Sequence, residues 1–273
     1  VEHPVTEMIT GLDLVEQMIR VAYGEKLPLT QDEVKLTGWA VENRIYAEDP
    51  YRGFLPSTGR LVRYQPPAEN NQVRVDAGVF EGAEVSMFYD PMVAKLVTYG
   101  ADRAAAVEAM ADALNRFRVR GIGHNIDFLS AVMAHPRFKA GNLSTGFIEE
   151  EYSAGFEGGS LDDAAERALR AIAAAFNQRK AERSWQISGQ IGNRSASGVA
   201  SDWVICCDEL RQPANVETVD DGCDVALDGV VHAVRGDCDP TRRVFDGTVN
   251  GAAMAVQIET DGLGYALSYL GAG

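Results

Sequence analysis

From Ser160 onward the sequence changes its hydrophobic period once and does not change back, and that switch limits the folds open to the second half more than any other feature. Leu161, Ala165, Ala168, Leu169, Ile172 and Phe176 fall on one stripe at helical spacing, which predicts a helix over residues 161–182. At about 1.5 Å per residue that helix is roughly 33 Å long. Downstream there is no further helical period. Residues 185–191, 203–207, 216–219, 225–227, 230–234, 243–245, 254–258 and 265–269 are short runs of strand character. Among them stand Asp228-Gly229, Asp246-Gly247, Asn250-Gly251 and Asp261-Gly262, dipeptides that suit two-residue hairpin turns because both central residues need positive φ. Eight short strands after one long helix predict an antiparallel β-barrel that curls round the helix and buries its apolar stripe.

The first half reads differently. Leu12, Val15, Ile19 and Ala22 predict a short amphipathic helix with Gly24 as its stop. Residues 38–47 alternate as a strand, with Trp39, Val41, Asn43 and Ile45 on one face and Ala40, Glu42, Arg44 and Tyr46 on the other. Further strands are expected at 60–64, 73–79 and 92–99, and helices at 103–116 and 126–134. The whole is α+β: an antiparallel sheet with helices over residues 1–150, then the long helix and barrel over 151–273, joined by the Gly-rich loop 153–160.

Charge narrows the function. Asp plus Glu number 40 against 25 Lys plus Arg, a formal net charge of −15, so the surface repels phosphate backbones and anionic lipid. General nucleic-acid binding is excluded. No stretch approaches the roughly 20 apolar residues that a membrane span needs. The 4 cysteines show no CxxC or Cys/His cluster, and are expected to be half-buried thiols rather than disulfides or zinc ligands. The chain opens without Met and with no leader, and stops on Gly-Ala-Gly, so it is expected to be a piece of a longer chain.

Residues 2–7 place two carboxylates and an imidazole ahead of a helix start, a pattern that is usually a solvated turn with Thr6 or Asp13 as cap. Arg44 beside Glu42 reads most simply as a surface ion pair. His3, His124, His135 and His232 are scattered, and each reads as structural or exposed. Gly121-Ile122-Gly123-His124-Asn125 lacks the Lys and Ser/Thr of a phosphate loop and the third Gly of a dinucleotide fingerprint.

Longer strings are more specific. Val1-Glu2-His3-Pro4-Val5-Thr6-Glu7-Met8-Ile9-Thr10-Gly11-Leu12-Asp13-Leu14-Val15 resembles the signature of biotin carboxylases, the ATP-grasp enzymes that carboxylate biotin with bicarbonate. Glu42-Asn43-Arg44-Ile45-Tyr46-Ala47-Glu48-Asp49-Pro50, Phe54-Leu55-Pro56-Ser57-Thr58-Gly59, Arg74-Val75-Asp76-Ala77-Gly78-Val79 and Tyr89-Asp90-Pro91-Met92-Val93-Ala94-Lys95-Leu96 resemble that family's C-terminal segments, in order. The resemblance implies a ligase whose cofactors are biotin, ATP and Mg2+ or Mn2+, with bicarbonate as co-substrate. It implies that Glu2 is the base that takes a proton from bicarbonate, and that a Val1 backbone N–H helps to hold the anion. It implies that Arg44 contacts the biotin ureido oxygen, where a guanidinium stays charged. Thr145, in Asn142-Leu143-Ser144-Thr145-Gly146-Phe147-Ile148, falls by the same resemblance near the edge of the adenine pocket.

A helix and meander directly after a biotin carboxylase C-terminus resembles the domain by which acyl-CoA carboxylase α subunits dock on their carboxyltransferase β subunit. Trp185, Asn193, Arg194, Ser195 and Trp203 are most similar to the propionyl-CoA branch; the 3-methylcrotonyl-CoA branch or another acyl-CoA carboxylase, or a non-catalytic assembly module, is the alternative. The implied partners are the β subunit, through 151–273, and the biotin carrier domain of the same α subunit, in an α6β6 assembly. The implied location is the bacterial cytoplasm or, in a eukaryote, the mitochondrial matrix. Because the family's ATP lid, phosphate-binding lysines and metal ligands precede Val1, and no biotinyl Met-Lys-Met occurs, this chain alone is expected to be inactive.

Overall fold

Pro4 at the first helical position and Gly11 at φ 71° bracket a short helix, α1 (Pro4–Thr10), since the missing proline N–H is not needed there and glycine takes left-handed φ without a Cβ clash. Asp13 caps α2 (Leu14–Ala22), its Oδ1 accepting from the Glu16 N–H at 2.8 Å. The segment expected as a turn is therefore helical from Pro4. Thr6 lies inside α1, and of the two anticipated caps Asp13 is the one that acts.

The computed structural model describes residues 3–86, 88, 90–186 and 199–273. They form two units, Val1–Gly159 and Ser160–Gly273. In the first, β1 (Trp39–Tyr46), β2 (Val73–Ala77) and β3 (Met92–Gly100) pair antiparallel in the order β1-β3-β2. Helix α3 (Arg103–Arg116), capped by Asp102, packs on β1 and β3, where the buried Thr98 hydroxyl donates to the Ala106 carbonyl at 2.8 Å. Helix α4 (Ile126–Ala134) packs on α3, and two short helices follow, α5 (Pro136–Lys139) and α6 (Phe147–Glu151). Ile45, Leu96, Met110, Leu114 and Phe117 close the core between sheet and helices. The single strand expected at 60–64 is two: Gly59–Arg60 pairs with Glu84–Val85, and Arg63–Gln65 with Arg118–Arg120. The backbone changes partner between them, because Leu61 N donates to the Ala83 carbonyl and Val62 N to that of Arg120.

In the second unit α7 (Asp163–Gln186) is followed by β4 (Asp202–Cys207), β5 (Leu210–Val219), β6 (Gly222–Leu227), β7 (Val230–Gly236), β8 (Val244–Val249), β9 (Ala252–Asp261) and β10 (Gly264–Ser268). Every strand pairs with its neighbours in sequence, giving a seven-stranded antiparallel meander. Helix α7 touches both edge strands, β4 and β10, as well as β5 to β8, so the sheet curls about the helix. Ala168, Ala171, Ile172, Ala175 and Phe176 are buried; wrapping widens the buried face beyond the expected stripe and draws in alanines that leave room for the sheet. Trp203 enters this core with its indole N–H donating to Gln178 Oε1 at 2.7 Å.

Asp228 and Gly229 (φ 50° and 80°) and Asn250 and Gly251 (φ 53° and 84°) make the expected hairpin turns. Asp246-Gly247 does not: it lies inside β8, with Gly247 opposite Gly236. A side chain on Gly247 would meet the Arg235 carbonyl, so the glycine serves a close backbone approach. Of the eight strands expected, seven are present among the described residues. The first, at 185–191, begins on Trp185 and Gln186, which form the last turn of α7, and its remainder lies outside the described residues, as do Asn193, Arg194 and Ser195. The thiols divide sharply instead of being half-buried, with Cys206 and Cys207 exposed and Cys223 and Cys238 buried. No helix among the described residues is long and apolar enough to cross a membrane.

Candidate functional site

Alternation along β1 puts Glu42 and Arg44 on one face, and pairing extends that face across the sheet. Arg44 stands opposite Lys95 of β3, which stands opposite Asp76 of β2; Glu42 stands opposite Val97, which stands opposite Arg74. Helix α1 lies against the same face. Arg74 Nη1 reaches Glu7 Oε2 at 2.7 Å and Arg74 Nε reaches Asp76 Oδ1 at 2.7 Å, while Glu7 Oε1 accepts from Leu14 N at 2.8 Å. Asp76 first, and Glu7 after it, raise the Arg74 pKa. Glu7, part of a turn cluster in the sequence reading, is thus a strut that fixes α1 and the start of α2 to the sheet.

The Arg44 guanidinium donates through Nε to Glu42 Oε1 at 3.1 Å; the Glu42 side chain is 12% exposed and that of Arg44 42% exposed. The carboxylate is buried and the cation open. This pair is more than a surface contact, because the buried Glu42 anchors one nitrogen while much of the guanidinium stays accessible. Hydrogen bonding to Glu42, and next to the Tyr46 hydroxyl, raises the Arg44 pKa and keeps it charged. Glu42 Oε2 is buried and has no hydrogen-bond partner among the described residues.

The backbone under Arg44 is held from far away. Pairing of β1 with β3 slips between Ile45 and Tyr46, and Asn125 bonds the β1 backbone on either side of that slip. Asn125 Nδ2 donates to the Arg44 carbonyl at 3.1 Å, its Oδ1 accepts from Tyr46 N at 2.9 Å, and its own N–H donates to the Tyr46 carbonyl at 3.2 Å. Asn125 is 5% exposed. The glycine-containing 121–125 segment therefore braces the Arg44 strand. Sequence reasoning missed Asn125 because its partners lie 79 and 81 positions away, beyond any local pattern.

Thr145 sits apart on an exposed turn before α6. Arg137 braces that turn, with Nε donating to the Asn142 carbonyl at 2.8 Å and Nη1 to Glu151 Oε1 at 2.8 Å. No hydrogen bond or ion pair among the described residues joins Thr145 to Arg44. Val1 and Glu2 lie outside the described residues. Among the described residues no group of three or more His, Cys, Asp or Glu is placed to hold a metal ion.

Comparison with known proteins follows this division. Residues 42–150 match the biotin carboxylase C-terminal domain, residues 169–273 the propionyl-coenzyme A carboxylase BT domain, and residues 1–30 the ATP-binding domain of the carbamoyl-phosphate synthase L chain. The propionyl-CoA carboxylase alpha chain of Ruegeria pomeroyi is 49% identical over 94% of this chain and 41% of its own length. The chain belongs to the biotin-dependent acyl-CoA carboxylase α-chain family. The human mitochondrial propionyl-CoA carboxylase alpha chain is 51% identical over 64% of this chain and 24% of its own length. The mitochondrial methylcrotonoyl-CoA carboxylase subunit alpha of Arabidopsis thaliana is 51% identical over 63% and 23%. The chain spans less than half the length of each of these relatives. Among solved structures, the biotin carboxylase domain of Hydrogenobacter thermophilus 2-oxoglutarate carboxylase, in complex with MgADP, ADP and bicarbonate, is 39% identical with a TM-score of 0.54, over 55% of this chain and 33% of its own.

Proposed function

We propose that residues 1–150 supply part of the site that carboxylates biotin with ATP and bicarbonate, and that residues 151–273 receive a carboxyltransferase β subunit, which passes the carboxyl group to propionyl-CoA. The observation that carries this reading is Arg44: a cation tied back by buried Glu42, on a strand locked by Asn125, with much of its guanidinium open to solvent. That arrangement fits biotin, because the ureido oxygen is an acceptor that a fixed, permanently charged guanidinium recognises through paired N–H donors. Biotin, when bound, supplies the ring nitrogen that takes up the carboxyl group. Arg44 orients the ureido and favours negative charge on its oxygen, and it does so with little reorganisation because Glu42 and Asn125 already hold it in place. Glu2 acts as the base toward bicarbonate, and the Val1 N–H helps to pin the anion. Thr145 borders the adenine. The described residues offer no carboxylate cluster for Mg2+.

The match to the propionyl-coenzyme A carboxylase BT domain over residues 169–273 supports the β subunit as partner. The biotin carrier domain of the same α chain is the second partner, and α6β6 the assembly. Location follows the source: cytoplasm in a bacterium, mitochondrial matrix in a eukaryote. A methylcrotonyl-CoA enzyme is the second reading, favoured by the 51% identity to the Arabidopsis subunit. Assay of the complex with its β subunit on the two acyl-CoA substrates separates them.

In the complete α chain, Glu2→Gln should abolish bicarbonate-dependent ATP cleavage and biotin carboxylation while the fold stays intact by circular dichroism. Turnover near that of the unsubstituted enzyme would remove Glu2 from the role of base.

A further inference from the structure

Arg44 has a cationic neighbour that the carboxylation reading leaves without a role. Lys95 of β3 stands opposite Arg44 in the β1–β3 register, so the two side chains leave the same face of the sheet, about 5 Å apart at Cβ. Like charges directly opposite one another weaken a strand pair, and a shared carboxylate would relieve the repulsion. Here the three described carboxylates of that face are committed elsewhere. Asp76, opposite Lys95 on its other side, accepts from Arg74 Nε at Oδ1 at 2.7 Å and from Arg74 Nη2 at Oδ2 at 2.8 Å. Glu7 holds Arg74 and the Leu14 N–H, and Glu42 Oε1 holds Arg44. Glu42 Oε2 is buried and meets no donor, Lys95 included. Lys95 is therefore a half-buried ammonium that forms no hydrogen bond or ion pair among the described residues.

In a chain of formal net charge −15, two adjacent cations, one largely open and one unpaired, suit an anion that comes from outside. We propose that Lys95 binds the carboxyl group that biotin receives, beside the ureido oxygen that Arg44 holds; this rests on the reading of Arg44 as the ureido contact. In that step the electron pair of the ring nitrogen forms the bond to the carboxyl carbon and the nitrogen's proton leaves to water, so a neutral group becomes an anion. The new carboxylate sits on the nitrogen bonded to the ureido carbon, next to the oxygen that Arg44 takes, and a second cation one strand over is matched to it. Lys95 meets a charge that appears only as the N–C bond forms. Its effect therefore falls on the rate at saturating biotin and not on biotin binding.

Malonamate carries an amide oxygen and a carboxylate on either side of one carbon, as the carboxylated ureido carries them on either side of one nitrogen. Titrated into the full 273-residue chain and followed by the lysine 13Cε and arginine 15Nε resonances, it should bind saturably and move both Lys95 and Arg44. Lys95→Met should weaken that binding by about tenfold or more. Because Lys95 has no partner to lose, the urea midpoint of the first unit should stay or rise. In the complete α chain Lys95→Met should lower biotin carboxylation at saturating biotin by about tenfold or more, with the biotin concentration for half-saturation and biotin-free ATP cleavage within about twofold of the unsubstituted enzyme. Lys95→Arg, which keeps the charge, should restore most of that rate. A Lys95 resonance that malonamate does not move, binding undiminished in Lys95→Met, a loss confined to half-saturation, or a raised bicarbonate requirement in biotin-free ATP cleavage overturns the proposal. An unaffected Lys95→Met beside an impaired Arg44→Ala overturns this inference alone, whereas biotin saturation untouched by Arg44→Ala overturns the reading beneath it as well. Should Lys95→Met fail to fold, the malonamate titration of the unsubstituted chain decides.

Discussion

The two halves of this chain hold themselves together in opposite ways. In the second unit each strand pairs with the strand before and after it, turns such as Asn250-Gly251 close the hairpins, and the helix they wrap lies immediately upstream. In the first unit the sheet order is β1-β3-β2, and the strand that carries Arg44 is braced by Asn125 from 81 positions away. Local pairing closes short loops and needs little beyond period and turn chemistry. The Arg44 site instead requires several distant segments to arrive in register.

Burial separates the halves most strongly. Phe117 belongs to the first core and Phe176 to the second, and each is at most 3% exposed. Truncating either to Ala should cost about 3–5 kcal/mol. In scanning calorimetry Phe117→Ala should lower the transition of the first unit alone and Phe176→Ala that of the second. A common shift of both transitions breaks the comparison.

A smaller effect tests the long-range brace. Asn125→Ala leaves the Arg44 carbonyl and the Tyr46 N–H without their partner, at about 1–3 kcal/mol in the first unit by urea unfolding. In the complete α chain it should also raise the biotin concentration needed for half-saturation. Loss of stability with unchanged biotin saturation would make Asn125 structural only.

Acid gives the smallest change and the finest distinction. Burial lowers the pKa of His124 in the first unit and of His232 in the second below the ordinary 6.5. In each case the unfolded chain binds more protons than the folded one, so the stabilisation present above pH 6.5 is lost as pH falls below it, by at most about 1.4 kcal/mol per pH unit for one group. Unfolding measured from pH 7.5 to 5 should show both units weakening. His232→Phe should flatten the profile of the second unit and leave that of the first.

This contrast also explains what could be read from the residues. Helices at 103–116 and 126–134 were legible because apolar spacing is local. The meander was legible because two of its turns are written in Asx-Gly pairs, Asp228-Gly229 and Asn250-Gly251, and the signal failed elsewhere: Gly247 looks like a turn and is a close approach between two backbones, and Asp261 pairs with Gly264, so that turn falls on Gly262 and Leu263. Leu61 broke an apparent strand because its backbone partner lies at Ala83, which no period reveals. The roles of Arg44, Glu2 and Thr145 came from resemblance rather than from spacing. What the residues around Arg44 could not disclose was its support: Asn125 sits in a glycine-containing segment that reads as a weak phosphate loop, and Glu42 beside Arg44 reads as an exposed pair until the register buries it.

The most direct test of the account is the biotin dependence of bicarbonate-driven ATP cleavage in the complete α chain carrying Arg44→Ala. The account predicts that cleavage without biotin persists, while the increase that free biotin produces falls by about 10²–10³-fold. A biotin saturation curve that overlays that of the unsubstituted enzyme would contradict it.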